Sequence, residues 1–408
     1  MKKLIILAYC LATSLITAGC DYSYVELKPL PGYRYSSPGS INNKGELIVR
    51  YKKRGYETVQ SFIYKDGKYI KLLPPGWTSA EATYINDNGY VLIVAPNISS
   101  RSTWFIYREG TYTKLLPPPG CNNIDWVSGI NGEGTVVAHC DYPAIGFIYS
   151  KGEYSELLPP ECNSLLGCDE VETQGINNKG EVVGTYRRYG SSPLERGFLY
   201  REGEYIDLLP GLNNSKAHHI DDTGAVVVSA YDGEPFKNSW PSELFIYSNG
   251  NYIKLSSWGG PINFDNLSCS NNGVVAGSGK LNGWDKISYW FYYRDGKITD
   301  LLPQGWHEVS YIAMNDNGVV LGCGVDGNNI NKWFIYDGNE YEVLSLPPKL
   351  RFNGHYVFTG FNNSGTITGV FEAGIALKNE LIPAIVLYQR TFIMAPRHYN
   401  LIGEKGSD

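Results

Sequence analysis

The chain has 408 residues, room for two or three ordinary domains or one large repeat domain. It combines 46 glycines and 32 tyrosines with three methionines, a mix of turn and strand formers that argues against a mainly helical protein. Its formal net charge is −6 and no long basic run occurs, so nucleic acid is not an expected partner.

The first twenty residues, MKKLIILAYCLATSLITAGC, place two lysines before an apolar run and small residues before Cys20. The run is too short and wrongly flanked for a spanning helix and reads as a cleaved leader, residues 1–19. Ala18-Gly19-Cys20 resembles the bacterial lipobox. The resemblance implies that Cys20 is diacylated and becomes the mature N-terminus, anchored by two or three acyl chains with no transmembrane helix. An ordinary secretory leader cut near Gly19 is the alternative. In enterobacterial lipoproteins an aspartate after the cysteine goes with inner-membrane retention, and Asp21 hints at that membrane. Residues 20–24 then form a lipid-anchored N-terminus, 25–397 the folded body, and 398–408 a polar tail.

The folded body repeats. An apolar residue, an Asn, two variable residues and a Gly recur as INNKG (41–45), INDNG (85–89), INGEG (130–134) and INNKG (176–180). The series continues as IDDTG (220–224), CSNNG (269–273), MNDNG (314–318) and FNNSG (361–365), with glycines 44 to 49 residues apart. The spacing predicts a type I turn followed by a glycine at positive φ, with the Asn side chain bonding the turn backbone. Asp221 and Ser270 replace Asn with residues that still make that bond. A second signal, Phe-Ile-Tyr before a tight turn, begins at Phe62, Phe105, Phe147, Phe198, Phe245, Phe291 and Phe334, and Ile385–Tyr388 reads as its degenerate eighth copy. A closing strand ends in LLP.

Four short antiparallel strands in a period of about 45 residues predict a β-propeller of about eight four-stranded blades, with seven as the runner-up. I-N-x-x-G-x-V-V-G followed by F-L-Y-x-x-G resembles the HAF-type extracellular repeat family over roughly residues 25 to 388. That resemblance implies an exported repeat protein and brings no catalytic residues. Tyr24–Gly32, YVELKPLPG, matches a fourth strand, so the N-terminus is expected to complete the last blade and close the ring. Thr391–Pro396 is the other candidate for that strand.

In a propeller the first-to-second and third-to-fourth strand turns lie at one end of the blades. Here they are uniform, and they read as scaffold. The second-to-third loops and the inter-blade connections lie at the other end, and their variation marks where function is grafted. Trp77, Trp258 and Trp306 follow closing strands, and Trp240 and Trp284 sit in long second-to-third loops. Exposed, these rings form a binding face for a glycan or an envelope protein; wedged between blades, they are packing. Trp104, Trp290 and Trp333 precede the Phe strand and are expected in the core.

No catalytic signature appears: no G-x-S-x-G elbow, no phosphate loop, no dinucleotide fingerprint and no metal-ligand spacing among the six histidines. No cofactor or metal is expected, and His218-His219 reads as strand-end packing. An exported propeller enzyme acting on polysaccharide or peptide remains the alternative, with Glu81, Asp125, Asp232 and Asp285 as loop carboxylates. Six cysteines follow Cys20, an even number that suits disulfides in an exported protein. Cys162 with Cys168 is the best pair, and Cys121 with Cys140 is plausible within one blade. Cys269 reads as a buried thiol.

Overall fold

The structure, a computed structural model, describes residues 22–396 apart from 29, 54–57, 97–101, 142–143, 164–167, 190–193, 213, 232–241, 256–261, 282–287, 346–355 and 378–383. Among the described residues it is all-β, with eight four-stranded antiparallel sheets that are the blades of a β-propeller. Blades 1 to 7 take their strands in chain order, within residues 33–72, 81–115, 124–157, 170–207, 214–254, 262–300 and 306–343, and blade 8 joins 356–396 with 22–27; the sheets of blades 5 and 6 join through a single pair, Ser242 opposite Ile262. The expectation of eight blades is met. Contacts group the chain into two units, residues 86–343 and residues 1–85 with 344–408.

The repeated turns behave as their residue types dictate. In all eight first-to-second turns the glycine has φ between 74° and 92°. The leading side-chain oxygen accepts backbone N–H groups two and four residues on, as Asn177 Oδ1 does from Lys179 and Glu181. Asp221 and Ser270 make the same pair of bonds. Six third-to-fourth turns are two-residue hairpins with both central residues at positive φ, such as Glu202 at 53° with Gly203 at 88°. That is the type I′ geometry, whose twist matches the strands it joins.

The Asn side chain does more than shape its own turn. Asn86 Nδ2 donates to the Asn131 carbonyl (2.7 Å), Asn131 to Asn177 (3.3 Å) and Asn177 to Asp221 (2.9 Å). In the other unit Asn362 donates to Asn42 (3.0 Å). One amide therefore closes a turn through its oxygen and ties that turn to the next blade through its nitrogen. Asp221 keeps the first role but has no hydrogen to donate, and its Oδ2 is buried without a hydrogen-bond partner.

Tyrosines of the fourth strands make a second set of ties. The hydroxyls of Tyr154, Tyr205 and Tyr252 accept the backbone N–H of Leu116, Leu158 and Leu209 in the preceding blade at 2.8 to 3.1 Å. The Phe of each third strand fills the sheet interior, and Phe147, Phe198, Phe291 and Phe334 are at most 2% exposed. The glycine of the V-V-G run makes room for it. A β-carbon at Gly184 would stand 2.4 Å from the Phe198 ring and 2.4 Å from the Glu172 carbonyl oxygen. Trp104 and Trp333 are core residues, and Trp290 packs partly buried against the cluster around Tyr292 and Phe334.

The N-terminal strand, Tyr22–Leu27, completes blade 8 as expected. It pairs antiparallel with Ala384–Pro396, from Tyr22 opposite Pro396 to Leu27 opposite Thr391. The third strand of that blade corrects the sequence reading. Ile385–Tyr388 is not the eighth Phe motif; Phe392-Ile393-Met394 takes its place, with Phe392 fully buried. The misreading has a physical origin. Ile367–Leu377 and Ala384–Pro396 run on together as a long ribbon to the pair Leu377–Ala384, so Ile385–Tyr388 pairs far out on the ribbon and the usual third-strand place falls to Phe392.

Candidate functional site

The most distinctive chemistry among the described residues lies at the variable-loop end of blades 3, 4 and 5. Glu170 opens the first strand of blade 4 (Glu170–Ile176), Arg187 nearly ends the second (Val182–Arg188), and Glu195 nearly opens the third (Leu194–Arg201). Antiparallel register puts the three opposite one another in a row, Glu170 against Arg187 and Arg187 against Glu195. Side chains alternate along a strand, so Glu172 shares their face and Tyr186 takes the other.

Arg187 is the hub. Its Nη1 lies 3.0 Å from Glu170 Oε2 and 2.8 Å from Glu172 Oε2, and its Nε lies 2.6 Å from Glu195 Oε1. Only 11% of the Arg187 side chain and 9% of the Glu195 side chain are exposed, so this pair is shielded from water. Two tyrosines finish the cluster. Tyr189 donates its hydroxyl to Glu170 Oε2 (2.6 Å), and Tyr231 of blade 5 donates to Glu195 Oε2.

Three carboxylates on one guanidinium leave the cluster anionic. Burial pushes the Glu172 carboxyl up, but the Arg187 hydrogen bond and charge outweigh it and hold the group below its usual range. For Arg187 burial works against the charge, and its bonds to Glu172 and Glu195 raise it regardless. Tyr189 is pushed up to about 12 by burial and by Glu170.

Blade 3 adds an outer rim. His139 Nε2 lies 3.8 Å from Asp125 Oδ2, and the Nδ1 of the same ring is buried without a hydrogen-bond partner. Burial lowers the His139 pKa against the opposing pull of Glu172, Asp125 and Glu170. Trp126 pairs with His139 in register, meets Trp104 edge to face at 6.0 Å between centroids, and is 57% exposed. Tyr189 is 48% exposed. The cluster thus carries one open ring of its own, Tyr189, and blade 3 presents a second, Trp126, against Trp104 of blade 2.

Both disulfides fasten this end of the molecule. Cys121–Cys140 ties the connection before the Ile124–Ile130 strand to the residue after His139, and Cys162–Cys168 closes the loop before Glu170. Both pairings match the sequence expectation. The segments carrying Asp125, Trp126, Glu170 and Glu172 are the ones the cross-links hold.

The other residues singled out by sequence divide. Trp77 is half-buried in the connection after blade 1. Trp306 opens an inner strand and packs edge to face on Phe334 at 5.5 Å, as a packing residue would. Trp240, Trp258, Trp284 and Cys20 lie outside the described residues, as do Asp232 and Asp285. Glu81 pairs with Arg50. His218 bonds Ser229 Oγ at 2.8 Å, and Cys269 packs against the cluster around Val227 and Leu244. Among the described residues no group of three or more His, Cys, Asp or Glu is arranged to hold a metal ion. Trp126, Glu170, Glu172, Arg187 and Tyr189 went unread in the sequence. Charged residues do interrupt the strand runs (EVET, TYRR), but a bulge between Thr173 and Gly175 shifts the register, so Glu170 falls opposite Arg187 where a count from the turn would pair Val171 with it.

Among the described residues the Asp207 carboxyl is pushed above its usual range by burial. It pairs in register with Phe198, in the cluster of Tyr186, on the other face of blade 4 from Arg187. It is therefore separated from the Arg187 cluster by the sheet.

No family model matches the chain, and no curated protein matches it in sequence. Solved structures similar to it include the β-propeller domain of the Trilobed protease from Pyrococcus furiosus (TM-score 0.48, 13% identity, 77% of this chain and 98% of that one). A structure from an analysis of two prolyl endopeptidases gives 0.49, 13%, 84% and 54%, and Pyrococcus horikoshii acylaminoacyl peptidase gives 0.46, 13%, 85% and 59%. The chain thus spans little more than half the length of the last two.

Proposed function

We propose that the protein is an exported, lipid-anchored β-propeller of the cell envelope that binds a glycan or an envelope protein through its variable-loop end. The observation that carries this reading is two exposed rings at the disulfide-fastened end of blades 3 and 4, Trp126 on blade 3 and Tyr189 on blade 4, the second bonded into the Arg187 cluster. Aromatic faces stack on the apolar faces of sugars or anchor a protein partner. Holding such groups rigid before binding reduces the ordering that binding requires. For envelope placement the support is the leader and the lipobox-like Ala18-Gly19-Cys20.

The enzyme alternative finds no matching support at this site. Glycoside chemistry pairs a carboxylic acid with a carboxylate across one substrate. The Arg187 cluster has its carboxylates committed to a guanidinium, and the raised carboxyl, Asp207, faces the other way.

The test uses a leaderless Cys20→Ser form in a glycan screen and an envelope-protein pull-down. Retention of a ligand, weakened at least tenfold by Trp126→Ala or Tyr189→Ala, is the expected result. If neither screen retains anything, or if both substitutions leave retention intact, the proposed site is wrong.

A further inference from the structure

The N-terminal strand fixes where a lipid on Cys20 would leave the folded body. Tyr22 pairs with Pro396, the last residue of the third strand of blade 8, so it sits at the tight-turn end of that blade. A β-carbon at Gly365 would lie 3.1 Å from Pro396 Cγ and 3.8 Å from Tyr22 Oη, which puts Tyr22 beside the Asn362–Gly365 turn. That turn is tied to blade 1, by Asn362 Nδ2 to the Asn42 carbonyl (3.0 Å) and by Asn363 N–H to Asn43 Oδ1 (2.8 Å). Exposed Lys44 follows directly.

Cys20 is two residues ahead of Tyr22, a span of about 7 Å at full extension. From Tyr22 on, six paired residues bind the chain to blade 8. An acyl chain reaches the hydrocarbon only when its cysteine lies at the headgroup level. So short a link onto a paired strand gives the body little room to turn over.

We propose that the tight-turn end of blades 8 and 1 rests against a lipid bilayer, and that the long ribbon of blade 8 points away from it. This rests on the lipid-anchor reading above. The surface brought to the bilayer is mixed rather than apolar. Lys44, Asp66 and Lys68 are exposed there, and Lys65 pairs with Glu46 at 3.1 Å. It therefore lies on headgroups, with insertion left to the acyl chains. The ribbon, paired out to Leu377–Ala384, extends the opposite end well past the pair Val370–Thr391.

The test is made on the full mature chain, extracted in detergent. Mass analysis of its N-terminal peptide first establishes whether Cys20 is acylated. The protein is then reconstituted in phosphatidylethanolamine–phosphatidylglycerol vesicles doped with a nitroxide-headgroup lipid. A small fluorophore is placed on Lys44→Cys or on Lys52→Cys, exposed residues at opposite ends of one hairpin of blade 1, with Lys68→Cys as a second reporter at the Lys44 end. Signal from the parent protein is subtracted. Quenching at residues 44 and 68 at least threefold that at residue 52 is the expected result. Acylated protein with equal or reversed quenching overturns the orientation alone. An unacylated Cys20 overturns the anchor and the orientation with it.

Discussion

The two ends of the blades are built on different rules. At the tight-turn end one device is repeated eight times, an Asx or Ser side chain closing a turn over a glycine at positive φ, and the amides of Asn86, Asn131, Asn177 and Asn362 also reach the next blade. Each tie is an ordinary hydrogen bond of about 1 kcal/mol, so stability there is spread thinly over many equal parts. The variable-loop end of blades 3 to 5 concentrates its stakes instead. Three carboxylates, one guanidinium and two tyrosines form a single unit, and both disulfides are spent near it. The contrast separates repetition that makes a scaffold from singularity that makes a site.

Substitution at the hub tests that contrast most severely. Arg187→Leu leaves three carboxylates without their cation and is expected to cost about 3 to 5 kcal/mol, read as a large fall in Tm. A loss below about 1 kcal/mol would mean that the cluster is not a unit.

Acid should be felt next. Burial lowers the His218 pKa to about 4, so the folded state binds its proton less readily than the unfolded chain. The stability from this group is complete above pH 6.5 and is lost as pH falls toward 4. Glu172, also lowered, adds to the loss where pH drops through the carboxylate range. Denaturation followed from pH 7 to pH 4 should show His218→Gln removing up to about 3 kcal/mol of the fall. An unchanged pH slope in that variant would show that His218 is not responsible.

At the repeated end the effects should be small and predictable in sign. Asn86→Asp keeps the turn oxygen but loses the donor to the Asn131 carbonyl, and should cost about 1 to 3 kcal/mol. Asp221→Asn restores the missing donor, its Oδ2 now standing unpartnered toward the Gly273 turn, and should stabilise by about 1 kcal/mol. Opposite signs for two chemically mirrored changes would confirm the wiring. Trp126→Ala completes the series. More than half of this side chain is already exposed, so stability should move by about 0.5 kcal/mol or less while retention of a ligand falls.

The sequence made the repeated parts readable because their signals are local. A turn is decided by an Asn and a Gly three residues apart, and a short disulfide loop by six residues of chain. Closure by Tyr22–Leu27 was readable for the same reason, since that segment carries the mark of a fourth strand wherever it lies. The third strand of blade 8 misled because its ribbon runs past the usual length and its Phe392-Ile393-Met394 copy lacks the turn glycine. The candidate site was illegible for the opposite reason. Glu170, Arg187 and Glu195 are separated by 17 and 8 residues and meet only through register, while Trp126 lies inside a strand rather than in a connection. The donor role of Asn86 and its relatives was hidden too, because the partner is a backbone carbonyl about 45 residues away.

The strand that finishes blade 8 sets a condition on how this molecule is made. Ser23 Oγ donates to the Ala395 carbonyl across 372 residues. In any N-to-C process Tyr22–Leu27 must therefore wait, without its strand partner, until residues 391–396 are made. Pairing over such separations is slow, since the loop entropy comes before the reward. Every unfinished chain carries a naked strand edge, the feature that invites aggregation and proteolysis. Blade 8 thus works as a length gauge, complete only when residues 391–396 have arrived.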